Sequence, residues 1–177
     1  MAWAGAASEV EVRTGRAADW LAVGGLGEID MLVLDHRGTR YHEDLRLAEP
    51  SLARGARVFA DNVLHPGAPL LLPFLRGRYQ VAVLPTTEFQ RDALEDWIVI
   101  CTPLALARAP EPAPPALRRL SAEVDALAWR SQRGPVTVRD WLALQRRVKI
   151  CLQDWQRTAA PVEESSLSSR AQHHEKK

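Results

Sequence analysis

Two short runs decide the fold: Asp30-Met31-Leu32-Val33-Leu34-Asp35 and Arg57-Val58-Phe59-Ala60-Asp61. Each is a continuous apolar stretch closed by an acid, without polar alternation, which is how a strand buried on both faces of a parallel sheet reads. Between them, Glu43 to Arg54 reads as a short helix, interrupted at Pro50 and ended by Gly55. Strand, helix and strand in this order make a right-handed parallel crossover. Upstream, Glu9-Val10-Glu11-Val12 alternates like a further strand. Downstream, Tyr79–Leu84 and Trp97–Cys101 are apolar runs too close together for a crossover helix, so they are expected as an antiparallel pair at a sheet edge. The fold class is therefore α/β, with parallel strands plus an antiparallel edge pair.

Beyond the sheet the composition changes. Residues 103–115 carry five prolines, Pro103, Pro110, Pro112, Pro114 and Pro115, and read as an extended linker. Residues 116–158 read as a helical extension. Leu117, Leu120, Val124 and Leu127 share one face of its first helix, and Trp141, Leu144, Val148, Leu152 and Trp155 form a stripe on its second. Thr137 and Asp140 between them have the spacing of a capping box. The stretch 159–177, rich in Ser, Glu, Lys and His, is expected to be disordered. The 177 residues carry a formal net charge of +1, which leaves no electrostatic footprint for nucleic acid or an acidic membrane surface. Cys101 and Cys151 each lie in an apolar run and have no metal-type spacing. No run approaches the ~18 apolar residues of a membrane span, and no signal peptide is visible, so a cytoplasmic protein is expected.

In an open parallel sheet, ligands bind beyond the carboxyl ends of the strands. Asp35 follows one buried run there, and Asp61-Asn62 follows the other. Adjacent strands lie ~4.8 Å apart, so these side chains can converge. Two carboxylates and an amide oxygen suit a hard divalent cation that keeps some of its waters. An acid at the end of a strand equally serves to cap the following turn, and both readings stand on the spacing alone.

Asp35-His36-Arg37-Gly38-Thr39-Arg40-Tyr41 and Ala60-Asp61-Asn62-Val63-Leu64-His65-Pro66-Gly67-Ala68-Pro69 resemble two signature segments of the catechol O-methyltransferase family, including its transmembrane O-methyltransferase branch. The resemblance runs from about Glu9 to Ile100. It implies that residues 1–102 are the C-terminal half of such a domain, a partial Rossmann-like methyltransferase sheet. It further implies S-adenosylmethionine and Mg2+ as cofactors and a small catechol-like molecule as substrate, with a place in catecholamine metabolism. By that resemblance Asp35, Asp61 and Asn62 match the magnesium ligands. Glu88 matches the acid that orients the second catechol hydroxyl, Pro66 lines the catechol pocket, and His36 and Arg37 fall beside the cofactor's adenine. Taken alone, Glu88 reads as a surface turn acid and His36 as a turn residue.

Departures from the family pattern accompany the match. The family's lysine base is Gly38 here, which leaves His36, His65 or metal-bound hydroxide to take a proton, and Arg37 stands where a tryptophan packs by the adenine. Gly24-Gly25-Leu26-Gly27 precedes a strand and opens no helix, so it reads as a turn; the cradle for the methionine part of the cofactor is expected to be missing. The leading expectation is a magnesium-assisted O-methyltransferase whose isolated chain, as a fragment, is inactive. The alternative is a non-catalytic interaction protein on a degenerate half-domain, with a protein partner bound through the C-terminal helices.

Overall fold

The computed structural model describes residues 9–87 and 94–158. Strands β1 (Ile29–Leu34), β2 (Leu52–Ala60), β3 (Tyr79–Thr87) and β4 (Glu95–Pro103) form one sheet in the order β1-β2-β4-β3. β1 and β2 are parallel, with Leu32 opposite Val58 and Leu34 opposite Ala60. β4 is antiparallel to both β2 and β3. The sheet thus has the expected parallel crossover and antiparallel edge pair.

The crossover helix α2 (Tyr41–Ala48) stops earlier than its sequence suggests. Pro50 falls in a tight turn at Glu49–Ser51, where its missing N–H is harmless, and the chain enters β2 at Leu52. Gly55 does not end a helix. It lies within β2 at φ 86°, where the register skips between the Ile29–Leu52 and Met31–Arg57 pairs. Glu9–Val12 forms no strand, and helix α1 (Ala17–Val23), which follows it, buries no residue.

Burial alternates along the strands. Leu34, Ala56, Val58, Ala60, Val99 and Cys101 are buried, and they lie on one face of the sheet. On the opposite face Met31 is 62% exposed and Val33 60% exposed. The expectation that β1 is buried on both faces is therefore corrected: among the described residues the helices that share the sheet's core cover one side. That cover comes from α2, α3 (Leu71–Leu75), α4 (Pro115–Arg133) and α5 (Val138–Thr158), whose Tyr41, Leu45, Leu71, Leu117, Val124 and Val148 share a single core with the buried strand residues.

α4 starts with Pro115 in its first turn and buries Leu117, Leu120, Val124 and Leu127 at the spacing of one helical face. Before α5 the Thr137 hydroxyl accepts the Asp140 amide at 3.2 Å, and Asp140 Oδ2 accepts the Thr137 amide at 3.0 Å; this is the reciprocal capping box. Arg147 of α5 pairs with Glu123 of α4 at 2.5 Å. Lys149 and Gln145 of α5 hold the side chain and the backbone carbonyl of Glu95 at the start of β4. These ties bring the helix pair onto the sheet at its strand ends. Burial pushes the Cys101 thiol up to about 12, so it is inert, and both cysteines are free thiols.

Candidate functional site

The site is built where β1 and β2 end side by side. Leu34 and Ala60 are the last register pair, and the Asp61 amide donates to the Leu34 carbonyl at 3.0 Å, so the strands stay paired one step further. Asp35 and Asp61 therefore leave adjacent strands at the same level. Asn62 then turns the chain in a left-handed conformation, φ 57° and ψ 39°, which asparagine tolerates better than most residues. One oxygen of Asp61, Oδ1, accepts the Asn62 amide at 2.8 Å and so performs the local turn-capping role as well.

Tyr41 lies beneath this corner. It is fully buried, and its hydroxyl has no hydrogen-bond partner of good geometry. Burial pushes its pKa well above the ordinary value of 10.0; the charges of Asp35, Asp61 and Asp96 push it further, and only the His36 backbone opposes them. The charges of Asp35, Asp61 and Asp96 thus all bear on one buried hydroxyl.

Asp96 is the residue that sequence reading missed. It is 2% exposed, at the start of β4. Its Oδ1 accepts the backbone amides of Leu64 at 2.9 Å, His65 at 3.2 Å and Trp97 at 2.7 Å, while its Oδ2 accepts Asn62 Nδ2 at 3.1 Å. Burial raises its pKa, and the hydrogen bonds from Asn62 and the three amides pull the other way. The one sequence signal was an acid set directly against an apolar strand, which reads as a flanking surface charge.

The remaining predicted residues are distributed around this corner. His36 is tied through Nε2 to Asp44 Oδ2 of α2 at 2.7 Å and stacks obliquely on Tyr41 with ring centroids 5.0 Å apart. Arg37 points to α4: its Nε donates to Asp125 Oδ1 at 2.8 Å, its Nη2 lies 2.8 Å from Asp125 Oδ2, and its guanidinium sits 5.4 Å from the Trp129 ring centre. The buried Thr39 adds a hydroxyl bond to the same Asp125 oxygen at 2.5 Å. Burial of Asp125 favours its neutral form, but the bonds from Arg37 and Thr39 outweigh it and hold the carboxyl below its ordinary value. Pro66 follows a cis peptide bond in the turn Val63–Gly67, and the preceding His65 ring meets Trp141 of α5 edge-on at 5.2 Å. Glu88 lies outside the described residues.

Gly38 has a packing reason of its own. A Cβ built there would stand 2.6 Å from the Gly67 carbonyl oxygen, 3.0 Å from its carbon and 3.3 Å from Ala68 Cβ. The position the family gives to lysine is thus closed by backbone from the neighbouring strand-end turn.

Asp35, Asp61 and Asn62 offer oxygen donors of the kind a hard cation takes, with room for water because Asp35 is exposed. Among the described residues no three His, Cys, Asp or Glu side chains form a metal cage. This set has only two such side chains, with an amide as its third donor. A groove of about 470 Å³ along α4 and α5, lined by residues such as Glu123, Arg147 and Asp154, does not include any of them.

No family model matches the chain. Over 81 residues it is 38% identical to the transmembrane O-methyltransferase homolog of Mus musculus, covering 44% of this chain and 31% of that protein. Over 82 residues it is 34% identical to catechol O-methyltransferase B of Danio rerio, covering 43% of this chain and 31% of that protein. The chain resembles the catechol and transmembrane O-methyltransferases over this segment, and it spans about a third of the length of these relatives. A solved O-methyltransferase of Streptomyces achromogenes, involved in tomaymycin synthesis and bound to S-adenosylmethionine, superposes with a TM-score of 0.49 at 23% identity, over 59% of this chain and 54% of that one.

Proposed function

We propose that the strand-end corner is the cation- and acceptor-binding half of an S-adenosylmethionine-dependent O-methyltransferase site that acts on a catechol-type hydroxyl with the help of Mg2+. The observation that carries this reading is that Asp35 and Asp61 leave adjacent parallel strands at the same level, with Asn62 in a left-handed turn directly after Asp61. The sequence relationship to catechol and transmembrane O-methyltransferases supports it.

In this reading Asp35, Asp61 and the Asn62 amide oxygen hold the cation, which when bound lowers the pKa of a chelated catechol hydroxyl and orients it. Pro66 contributes an apolar wall, and Glu88 accepts a hydrogen bond from the second hydroxyl. His36, oriented by Asp44, is the imidazole available to take a proton, since Gly38 offers none. Arg37 and His36 stand on the cofactor side. Among the described residues no glycine-rich turn opens a helix, because Gly24–Gly27 leads into β1. The isolated chain is therefore expected to bind cation and acceptor without turnover.

The test uses the half-site itself. A chromophoric nitrocatechol titrated with the purified chain is expected to show its ionised spectrum only when Mg2+ is present, and to lose the effect in Asp61→Ala. A spectrum indifferent to Mg2+, or unchanged in that variant, would remove the basis of the proposal. A non-catalytic interaction protein is the second reading. It is favoured by one observation, the engagement of Arg37 by Asp125 and Trp129 of α4, which commits a cofactor-side residue to an internal contact.

A further inference from the structure

Asn62 is the weakest donor of the proposed cation set, because an amide can present either its oxygen or its nitrogen. Only the oxygen can bind a cation. Which end faces the site is decided by the partner of the other end. Here that partner is Asp96. Four N–H groups converge on its carboxyl: three backbone amides on Oδ1 and Asn62 Nδ2 on Oδ2. A carboxyl surrounded by donors acts as an acceptor, so it selects the nitrogen of Asn62 and turns the amide oxygen the other way. Asn62 follows directly on Asp61, whose Oδ1 accepts its backbone amide at 2.8 Å, so the Asn62 side chain starts beside the Asp35–Asp61 corner.

We propose that Asp96 is a positioning residue that fixes the Asn62 amide with its oxygen toward the Asp35–Asp61 corner and, through the Leu64 and His65 amides, fixes the turn that carries Pro66. The inference rests on the cation reading of that corner. The amide orientation itself can be tested without any metal.

Asp96→Asn isolates the role. Its Oδ1 can keep the three backbone amides, but its Nδ2 puts a donor opposite Asn62 Nδ2, and the Asn62 amide must turn over. Mn2+ is the probe, followed by water-proton relaxation. The single variant is expected to bind Mn2+ about 10–100-fold more weakly than the wild type, the usual effect of losing a residue that orients a ligand. The exchanged pair Asp96→Asn with Asn62→Asp restores a donor facing an acceptor, with an oxygen toward the cation. It is expected to recover affinity to within a few fold of wild type. Because Asn62→Asp also adds a carboxylate to the corner, the rescue is read together with the amide-proton measurement that follows, which charge alone would not move. Equal Mn2+ affinity in wild type and Asp96→Asn, or an exchanged pair no tighter than the single variant, overturns the proposal.

The second readout uses the metal-free protein. The Asn62 side-chain amide protons are expected to be protected from exchange in the wild type and to lose that protection in Asp96→Asn. If they exchange in the wild type as fast as those of an exposed asparagine, the positioning role is overturned whatever the metal result. Absent Mn2+ binding with protected amide protons would count against the cation reading alone.

Discussion

Replacing Gly38 by alanine tests whether this position is a lost base or a packing contact. The backbone φ of Gly38 is not in the left-handed region, so alanine is conformationally acceptable there. With free space around it, the substitution would stabilise the protein by about 0.4–1 kcal/mol through the unfolded chain. The space is not free: the new carbon would lie 2.6 Å from the Gly67 carbonyl oxygen, against an ordinary C···O approach of about 3.3–3.6 Å. The overlap of roughly 0.7–1.0 Å falls on the backbone carbonyl of Gly67. A backbone carbonyl cannot yield by rotating a side chain. Overpacking of this kind costs about 1–3 kcal/mol, which for a chain of this size lowers the melting temperature by about 2–12 °C. Gly134→Ala is the control, because nothing lies within 4 Å of its Cβ and its backbone is extended at φ −177°. Thermal melts followed by circular dichroism should separate the two variants. A Gly38→Ala protein as stable as Gly134→Ala would refute the packing argument. If the argument holds, Gly38→Lys displaces the Gly67 turn and does not restore a base.

Three further outcomes follow from the same contacts. Asp125→Ala strips the acceptor from Arg37 and the buried Thr39 and should cost about 1–2 kcal/mol; a double-mutant cycle with Arg37→Ala that shows no coupling would dismiss the clamp. Leu152→Ala empties a fully buried site between α5 and the shared core, with an expected loss of about 2–5 kcal/mol in urea unfolding; a loss under about 0.5 kcal/mol, the range of a surface substitution, would mean that α5 does not pack there. Burial lowers the His42 pKa below its ordinary 6.5, so the unfolded chain takes up that proton first as pH falls. The stability contributed by neutral His42 is present above pH 6.5 and is lost as pH drops through the folded value. His42→Gln should flatten that part of the stability profile, and an unchanged slope would reject the assignment.

What the sequence discloses here, and what it hides, has a physical pattern. The apolar runs at Met31–Leu34 and Val58–Ala60 are legible because a parallel pair must bury them, and the short Tyr79–Cys101 interval is legible because it excludes a crossover. The Thr137–Asp140 cap is local and therefore visible. Burial on the second face of β1 is not legible, since the same run Met31-Leu32-Val33-Leu34 suits a strand covered on one side or both. Glu9–Val12 alternates correctly but finds no strand partner among the described residues. At the site, Asp35, Asp61 and Asn62 stand out because they end strands. Tyr41 and Asp96 do not, because one looks like an ordinary helix start and the other like an ordinary surface acid. Their roles arise only when α2, β2 and β4 are brought together. Gly38 is the sharpest case: its sequence reads as a missing lysine, while its surroundings show a contact that admits no side chain.

The central claim is that Asp35, Asp61 and Asn62 form one cation site. A Mg2+ titration of the isotopically labelled chain followed by amide NMR tests it most directly. Saturable shifts centred on residues 35, 61 and 62 and on the Tyr41 amide, abolished by Asp61→Ala, are the predicted result. Shifts scattered over surface acids such as Glu123 and Asp154, or retained in Asp61→Ala, would contradict it.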